Sequence, residues 1–440
     1  MYSLSLPPRR RLNSLPAELL VQIFFCLCER PAASTNQYDA PSFSTPLFLG
    51  KICRHWRNIA WSIASFWDYI DLVLPTTEKS ACAELLADWL ERSQNLPLTI
   101  IFRREESKAS LVRNWGEQTL PLFHLISNEW YRWESIDLFI PHRFCTSRIN
   151  LRCKQFVLLH TATIRGIAGP TEFPDSFLQD APVLSELSIH ISRLHRPTSP
   201  YFMLTQFKAS SISLNDVINI LVNAPNIHTL FLADINSPAT APKPIVLETL
   251  KSLNILNLRS IHEFLDNLQA PSLLRLHLEG CARIPLEMHA IHAFIQLHGP
   301  LLQTLVLGGF WEQCISPLLT HTPRLQELRL RRDGIRGNSV FQQNVAQNLA
   351  ALCHLQSFSL FGVMGPCFPI LDVIKRRWIT GYPIADNPDH SLSSTPSRIQ
   401  TIGFSSQTEG GCRAVMKDHL VDEIRHGISI DFIEWVGAGL

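Results

Sequence analysis

The 440-residue chain has little charge and no surplus of either sign. Lys plus Arg is 39 against Asp plus Glu at 38, and charged residues are 18% of the total. Without a net field, attraction to nucleic acid or an anionic membrane has no electrostatic source. No CxxC pair occurs among the 11 cysteines. Their odd number and scatter, with no secretory signal ahead of them, point to free thiols in a reducing compartment, cytoplasmic and/or nuclear. Cys26 and Cys28 are expected as core thiols. Missing too are GxGxxG, the P-loop, GxSxG and HExxH. No phosphate cradle, nucleophile elbow or zinc-hydrolase helix follows from the sequence, so neither an enzyme nor a cofactor is expected. His289 and His292, with His298 nearby, lack an accompanying cysteine or carboxylate cluster. Among 17 histidines such a pair arises by chance, and no metal site is expected.

Long apolar runs are also absent. The strongest one, Leu19 to Cys28 in SLPAELLVQIFFCLC, has Gln22 as its only polar side chain. As a helix it covers about 15 Å, half of the ~30 Å hydrocarbon core of a bilayer. Glu18, Gln22 and Glu29 interrupt and flank it, and no small-residue cleavage site follows closely, so it is neither a span nor a signal core. With 46% hydrophobic residues, the chain has the composition of an extensively packed protein.

What is present begins with that run. Pro16 suits a first helical turn, and Leu15, Leu19, Ile23 and Leu27 form one stripe, widened by Leu20 and Phe24. Val21, Phe25 and Cys28 lie opposite, so this helix needs cover on both sides. After a Pro/Ser/Asn-rich stretch from Glu29 to Pro46, a second helical period runs through Leu47, Leu49, Ile52, Cys53, Trp56, Ile59, Ala60 and Ile63, with Trp67 following. About sixty residues cannot cover this much apolar surface alone. Leu15-Pro16-x-Glu18-Leu19-Leu20-x-x-Ile23-Phe24, then Ile52-Cys53-Arg54-x-Trp56-Arg57-x-Ile59-Ala60 and Trp67, resemble the F-box. The resemblance covers residues 12 to about 72, departing in the longer loop 29–46. It implies a three-helix module binding the Skp adaptor of cullin–RING ubiquitin ligases through Leu15, Pro16, Leu19, Leu20, Ile23, Phe24, Ile52, Cys53, Trp56 and Ile59. Residues 1–11, with Arg9–Arg11, read as a flexible basic leader.

Farther on, a Pro-x-apolar-x-x-apolar-x-apolar phrase recurs as PVLSELSI, PNIHTLFL, PSLLRLHL, PLLQTLVL and PRLQELRL, with weaker copies LTQFKA, LKSLNI and LQSFSL. Their first apolar positions are 184, 204, 227, 250, 273, 302, 325 and 355, spaced by 20 to 30 residues. Helical stretches precede the clearest phrases: Leu214, Val217, Ile218 and Leu221 share a face, and Ser260 with Glu263 makes a capping box ahead of Ile261, Phe264, Leu265 and Leu268. Strand, turn and helix at this period is a unit that buries its face only on its neighbours. The pattern resembles the leucine-rich repeat, its Asn/Cys position filled well only by Cys281, with Asp333 elsewhere. A plain helical solenoid fits less well, because prolines and L-x-L alternation occupy the place of its second helix.

The expected fold class is therefore α/β: a three-helix module, then over 73–440 an irregular solenoid with a parallel sheet on the concave face and helices on the convex face. Degenerate first repeats are expected at 84–141, clearer ones at 182–361, a loop at 380–398 and a terminal helix–strand cap at 413–436. Residues between the inward leucines face outward, which nominates Arg275, His277, Glu327, Arg329, Arg331 and Phe361 for target binding. Arg329 is expected beside Val306 and Ser359, and Arg331 near an exposed Phe361. Together the two resemblances imply an SCF-type substrate-recognition adaptor that brings an unidentified protein target to the ligase, with no nucleic-acid or membrane partner. The alternative is a repeat scaffold not coupled to ubiquitin transfer.

Overall fold

The computed structural model describes residues 15–28, 46–74, 81–104, 115–140, 155–166, 178, 180–190, 201–235, 244–258, 261–280, 285–309, 315–331, 339–361, 368–380, 399–405, 417, 420, 421, 424 and 428–433. Most of the stretches expected as loops, 29–46 and 380–398, lies outside them, with Ser260, Cys281, Asp333 and most of the expected terminal helix; Pro46 and Thr380 belong to helices. The chain divides into two compact units: residues 1–167 with 176–183, and residues 168–175 with 184–440.

The first unit opens with helices α1 (Ala17–Leu27), α2 (Pro46–Ile52) and α3 (Arg54–Ser62), closed by a 3-10 turn at Ala64–Phe66. Leu20, Phe24, Leu49, Trp56, Ala60, Phe66 and Trp67 form their shared core. The Trp67 indole N–H donates to the Ala60 carbonyl at 3.1 Å, fixing the turn against α3. The chain then alternates β1 (Tyr69–Leu74), α4 (Ala81–Arg92), β2 (Leu98–Arg104), α5 (Trp115–Asn128), β3 (Trp133–Ile140) and β4 (Thr161–Gly166). These four strands are parallel and lie in chain order. The stretch 84–102 thus folds as helix then strand, as its periodicity requires.

The helical module is attached to this sheet rather than standing apart. Trp89 of α4 packs edge-on against Trp67 with ring centroids 4.8 Å apart. The Arg92 guanidinium lies 4.3 Å from the Trp61 ring centre and 5.2 Å from that of Trp67. Farther along, buried Arg132 donates to the Leu96 carbonyl at 2.9 Å and the Ser93 hydroxyl at 2.7 Å, and pairs with Glu129 at 3.0 Å. Its charge is neutralised and its donors used, which a buried guanidinium requires.

The second unit continues with β5 (Glu186–His190), β6 (Gln206–Ser210), α6 (Leu214–Val222), β7 (Thr229–Ala233), β8 (Ile245–Val246), β9 (Ser252–Leu256), α7 (Ile261–Leu265), β10 (Leu268–Gln269) and β11 (Arg275–Glu279). It ends with α8 (Pro285–His298), β12 (Thr304–Gly308), α9 (Ile315–Thr320), β13 (Glu327–Arg331), α10 (Ser339–Ala351), β14 (Ser357–Phe361), α11 (Phe368–Thr380), β15 (Thr401–Ser405) and β16 (Ser429–Ile433). Every recurrent phrase is a strand, and β5-β6-β7-β9-β11-β12-β13-β14-β15-β16 form one parallel sheet in chain order. The small strands β8 and β10 pair separately. This mixed α/β arrangement of repeated strand and helix, each strand hydrogen-bonded to the next, is that of a solenoid-like fold.

In-register ladders make its core. Leu276, Leu305 and Leu328 are successive neighbours, as are Leu278, Leu307 and Leu330, and all are buried. Each such side chain contributes roughly 1.5–3 kcal/mol. Helix α6 keeps Leu214, Val217, Ile218 and Leu221 buried, and the Ser213 hydroxyl caps it by accepting the Asp216 N–H at 3.2 Å. Helix α7 is shorter than its pattern predicts: it stops at Leu265, and Leu268 is buried in β10 instead.

The ends of five strands share a turn. Ser211, Asp234, Asn257, Gly280 and Gly309 each follow a strand with φ of 57, 51, 51, 64 and 74°. In each the backbone N–H donates across to the end of the next strand, to the carbonyls of Ala233, Leu256, Glu279, Gly308 and Arg331 at 2.8–3.1 Å. The left-handed conformation costs about 1–2 kcal/mol for a residue with a Cβ, and Gly, Asn and Asp bear it best.

Candidate interaction surfaces

The core of the three-helix module takes one side of α1 and leaves the other bare. Leu20 and Phe24 are fully buried, the Phe24 ring 4.8 Å from that of Trp56. Leu19 is 45% exposed, Ile23 38%, Phe48 55% and Ile52 50%. Phe25 and Leu27 are also exposed. Leu19, Ile23 and Leu27 recur every fourth residue and so form a stripe along α1, while Phe48 and Ile52 form another on α2.

This sorts the residues expected to meet an adaptor. Leu19, Ile23 and Ile52 point outward, and Pro16 is exposed at the helix start. Leu20, Phe24 and Trp56 are instead buried in the module's own core. Leu15, Cys53 and Ile59 are half-buried against that core, the Cys53 sulfur also accepting the Trp56 N–H at 3.4 Å. Phe48 is the residue that periodicity missed, because the period read through Leu47, Leu49 and Ile52 passes over it. Nor is Cys26 a core thiol, for it is exposed. Cys28 packs against the core, where burial pushes its thiol up to about 11.

The second surface is the face of the sheet turned away from the leucine ladders. Arg329 does lie between Val306 and Ser359, and Arg331 between Gly308 and Phe361. Phe361, however, is 3% exposed, so no aromatic anchor stands beside the arginines. Nor are the arginines free cations. Arg329 pairs with Glu327 at 2.6 Å, and Arg331 pairs with Glu279 two strands away. Gly308 lies between that last pair in register, and a Cβ there would come within 2.8 Å of the Glu279 Cγ. The glycine is the gap through which Glu279 crosses. His277 stands 3.5 Å from the same carboxylate.

Two other cations on this face are different. Arg275 is exposed, Lys208 is half-buried, and neither side chain has a hydrogen bond or ion pair among the described residues. In the first unit, by contrast, Asp71 pairs with Arg103 at 2.6 Å and Asp137 with Arg165 at 3.0 Å. Burial raises the Asp71 pKa, and the Arg103 charge works against that rise.

The helix α8 histidines occupy three separate settings. His289 is exposed, His292 meets His321 edge-on at 5.3 Å, and His298 is buried against Phe294 with its pKa lowered by desolvation. Among the described residues no group of three or more His, Cys, Asp or Glu is placed to hold a metal. None of the described helices is long and apolar enough to cross a membrane. No family model matches the chain, and no curated protein matches it.

Proposed function

We propose that the chain is the substrate-recognition subunit of an SCF-type ubiquitin ligase, with α1–α3 as an F-box and the repeats as a leucine-rich-repeat target receptor. The observation that carries this reading is the outward stripe of Leu19, Ile23, Leu27, Phe48 and Ile52 on a module whose core is already complete. Side chains that a fold does not need and water does not favour are the signature of a docking face. The residue order and spacing that resemble the F-box select the Skp adaptor as the partner. Association costs an estimated 4–15 kcal/mol, and four large side chains give roughly 1.5–3 kcal/mol each on full burial. Leu19 and Ile23 alone are therefore too few, and the α2 stripe supplies the surplus.

In this scheme the chain performs no bond chemistry. It holds a target beside the ligase, and its contribution is proximity. The test is pull-down of the Skp adaptor and cullin with the full chain. The double change Leu19→Asp and Ile23→Asp removes both partners, while the melting temperature stays near that of the parent. Undiminished capture by this variant overturns the assignment. Capture of the adaptor without cullin points instead to a repeat scaffold uncoupled from ubiquitin transfer.

A further inference from the structure

We propose that the open face between β6 and β11 is the target-reading surface, and that it takes an extended acidic segment with carboxylates at positions i and i+4. This rests on the target-receptor reading above and names its partner class. Lys208 on β6 and Arg275 on β11 are the cations of this face that have no partner among the described residues. Its glutamates are already engaged: Glu186 holds the Gln206 amide at 3.2 Å, Glu327 holds Arg329, and Glu279 holds Arg331. Between the two cations the floor is uncharged: Thr229, Ser252 and Asn254 are half-buried and offer hydroxyls and an amide, while Phe231, the register neighbour of Lys208, is buried. Ser252 is the register neighbour of Arg275 on one side. The outward rows of β6, β7 and β9 hold no carboxylate.

Geometry sets the spacing of the occupant. From β6 through β7 and β9 to β11 is three strand steps, about 14 Å at ~4.8 Å per step; Lys208 is in register with His277, so Arg275 stands two residues, about 7 Å, back along its strand, and the two Cα atoms are about 16 Å apart. An extended chain rises about 3.3–3.4 Å per residue, so four residues cover about 13 Å, and the long Lys208 and Arg275 side chains close the remaining ~3 Å. An even separation also puts both side chains on one face. Two carboxylates so placed reach both cations at once, while the floor meets the polar groups between them.

Fluorescence anisotropy with the full chain decides the matter. The probe is a short fluorescein-labelled peptide carrying glutamates at i and i+4 in a Ser/Ala background. Its isomer with adjacent glutamates, and a version with lysines in their place, serve as comparisons. The i, i+4 peptide binds more tightly than both. Lys208→Glu and Arg275→Glu each weaken it by about tenfold, Arg275→Lys retains most of the binding, and Arg324→Glu on an exposed turn changes nothing. Equal binding of the isomers, equal loss in Arg324→Glu, or no saturable binding overturns the proposal. Adaptor pull-down on the same preparations separates this result from the ligase assignment. Loss of peptide selectivity with intact adaptor capture sinks the surface alone, and the converse sinks the ligase reading alone.

Discussion

A single missing carbon decides the pairing of Arg331. Gly308 lies between Glu279 and Arg331 in register, and a methyl group there meets the Glu279 side chain at 2.8 Å. Gly308→Ala therefore costs about 1 kcal/mol, the size of a half-exposed ion pair with its hydrogen bond. In a Glu279→Ala background the same change is close to neutral, or favourable because alanine restricts the unfolded chain. Urea denaturation of the four variants gives the coupling, expected at about 0.5–1 kcal/mol; additive effects would show that the glycine serves another purpose. Gly280 differs in kind. Its φ is +64° and a Cβ there would stand 2.2 Å from the Asn257 Oδ1, so backbone and side chain both resist substitution.

Helix α1 has two apolar sides with opposite duties. Phe24→Ala empties a fully buried site and is expected to cost about 3–5 kcal/mol in a thermal or urea melt. Phe48→Ala on α2, more than half exposed, is expected to stay within about 0.5 kcal/mol while weakening adaptor capture. Similar losses of stability from the two changes would contradict the division into core and docking faces. Sequence periodicity shows that this helix is apolar all round, but not which side faces inward, because that depends on where α3 and the 3-10 turn place Trp56 and Phe66. The strand phrases were far more legible: their spacing alone gives the β13 neighbours of Val306 and Ser359. The buried Phe361 was not, since alternation assigns a side to a residue but cannot say whether that side is covered. One signal lay in view unread. Ser211, Asp234, Asn257, Gly280 and Gly309 each stand seven positions after Leu204, Ile227, Leu250, Leu273 and Leu302. Their side chains differ, and only the shared left-handed backbone unites them.

Across the whole second unit, stability is that of a stack in which each strand is covered by the next. A chain ending at residue 290 stops inside α8 and removes β12, so Leu276 and Leu278 lose Leu305 and Leu307 from their ladders. Such a chain is expected to be less soluble than the full protein and to elute as aggregate in size-exclusion chromatography. Two well-behaved, separately folded pieces from that cut would mean that the ladder is not cooperative. The recurring phrases make this architecture readable from the sequence. The division near residue 183 was not readable, because the helix-to-strand pattern of 84–141 continues the same theme as the later repeats.

The indoles of Trp61, Trp67 and Trp89 have an optical consequence. Centroids 6.4 and 4.8 Å apart, with interplanar angles of 76 and 73°, make a fixed asymmetric array, and the Arg92 guanidinium lies over two of its members. Transitions of chromophores this close couple, and coupling in a rigid chiral arrangement produces a circular dichroism couplet in the strong far-ultraviolet indole band. The protein thus carries its own reporter of whether the N-terminal helices stay seated on α4, readable without a label while an adaptor is titrated in.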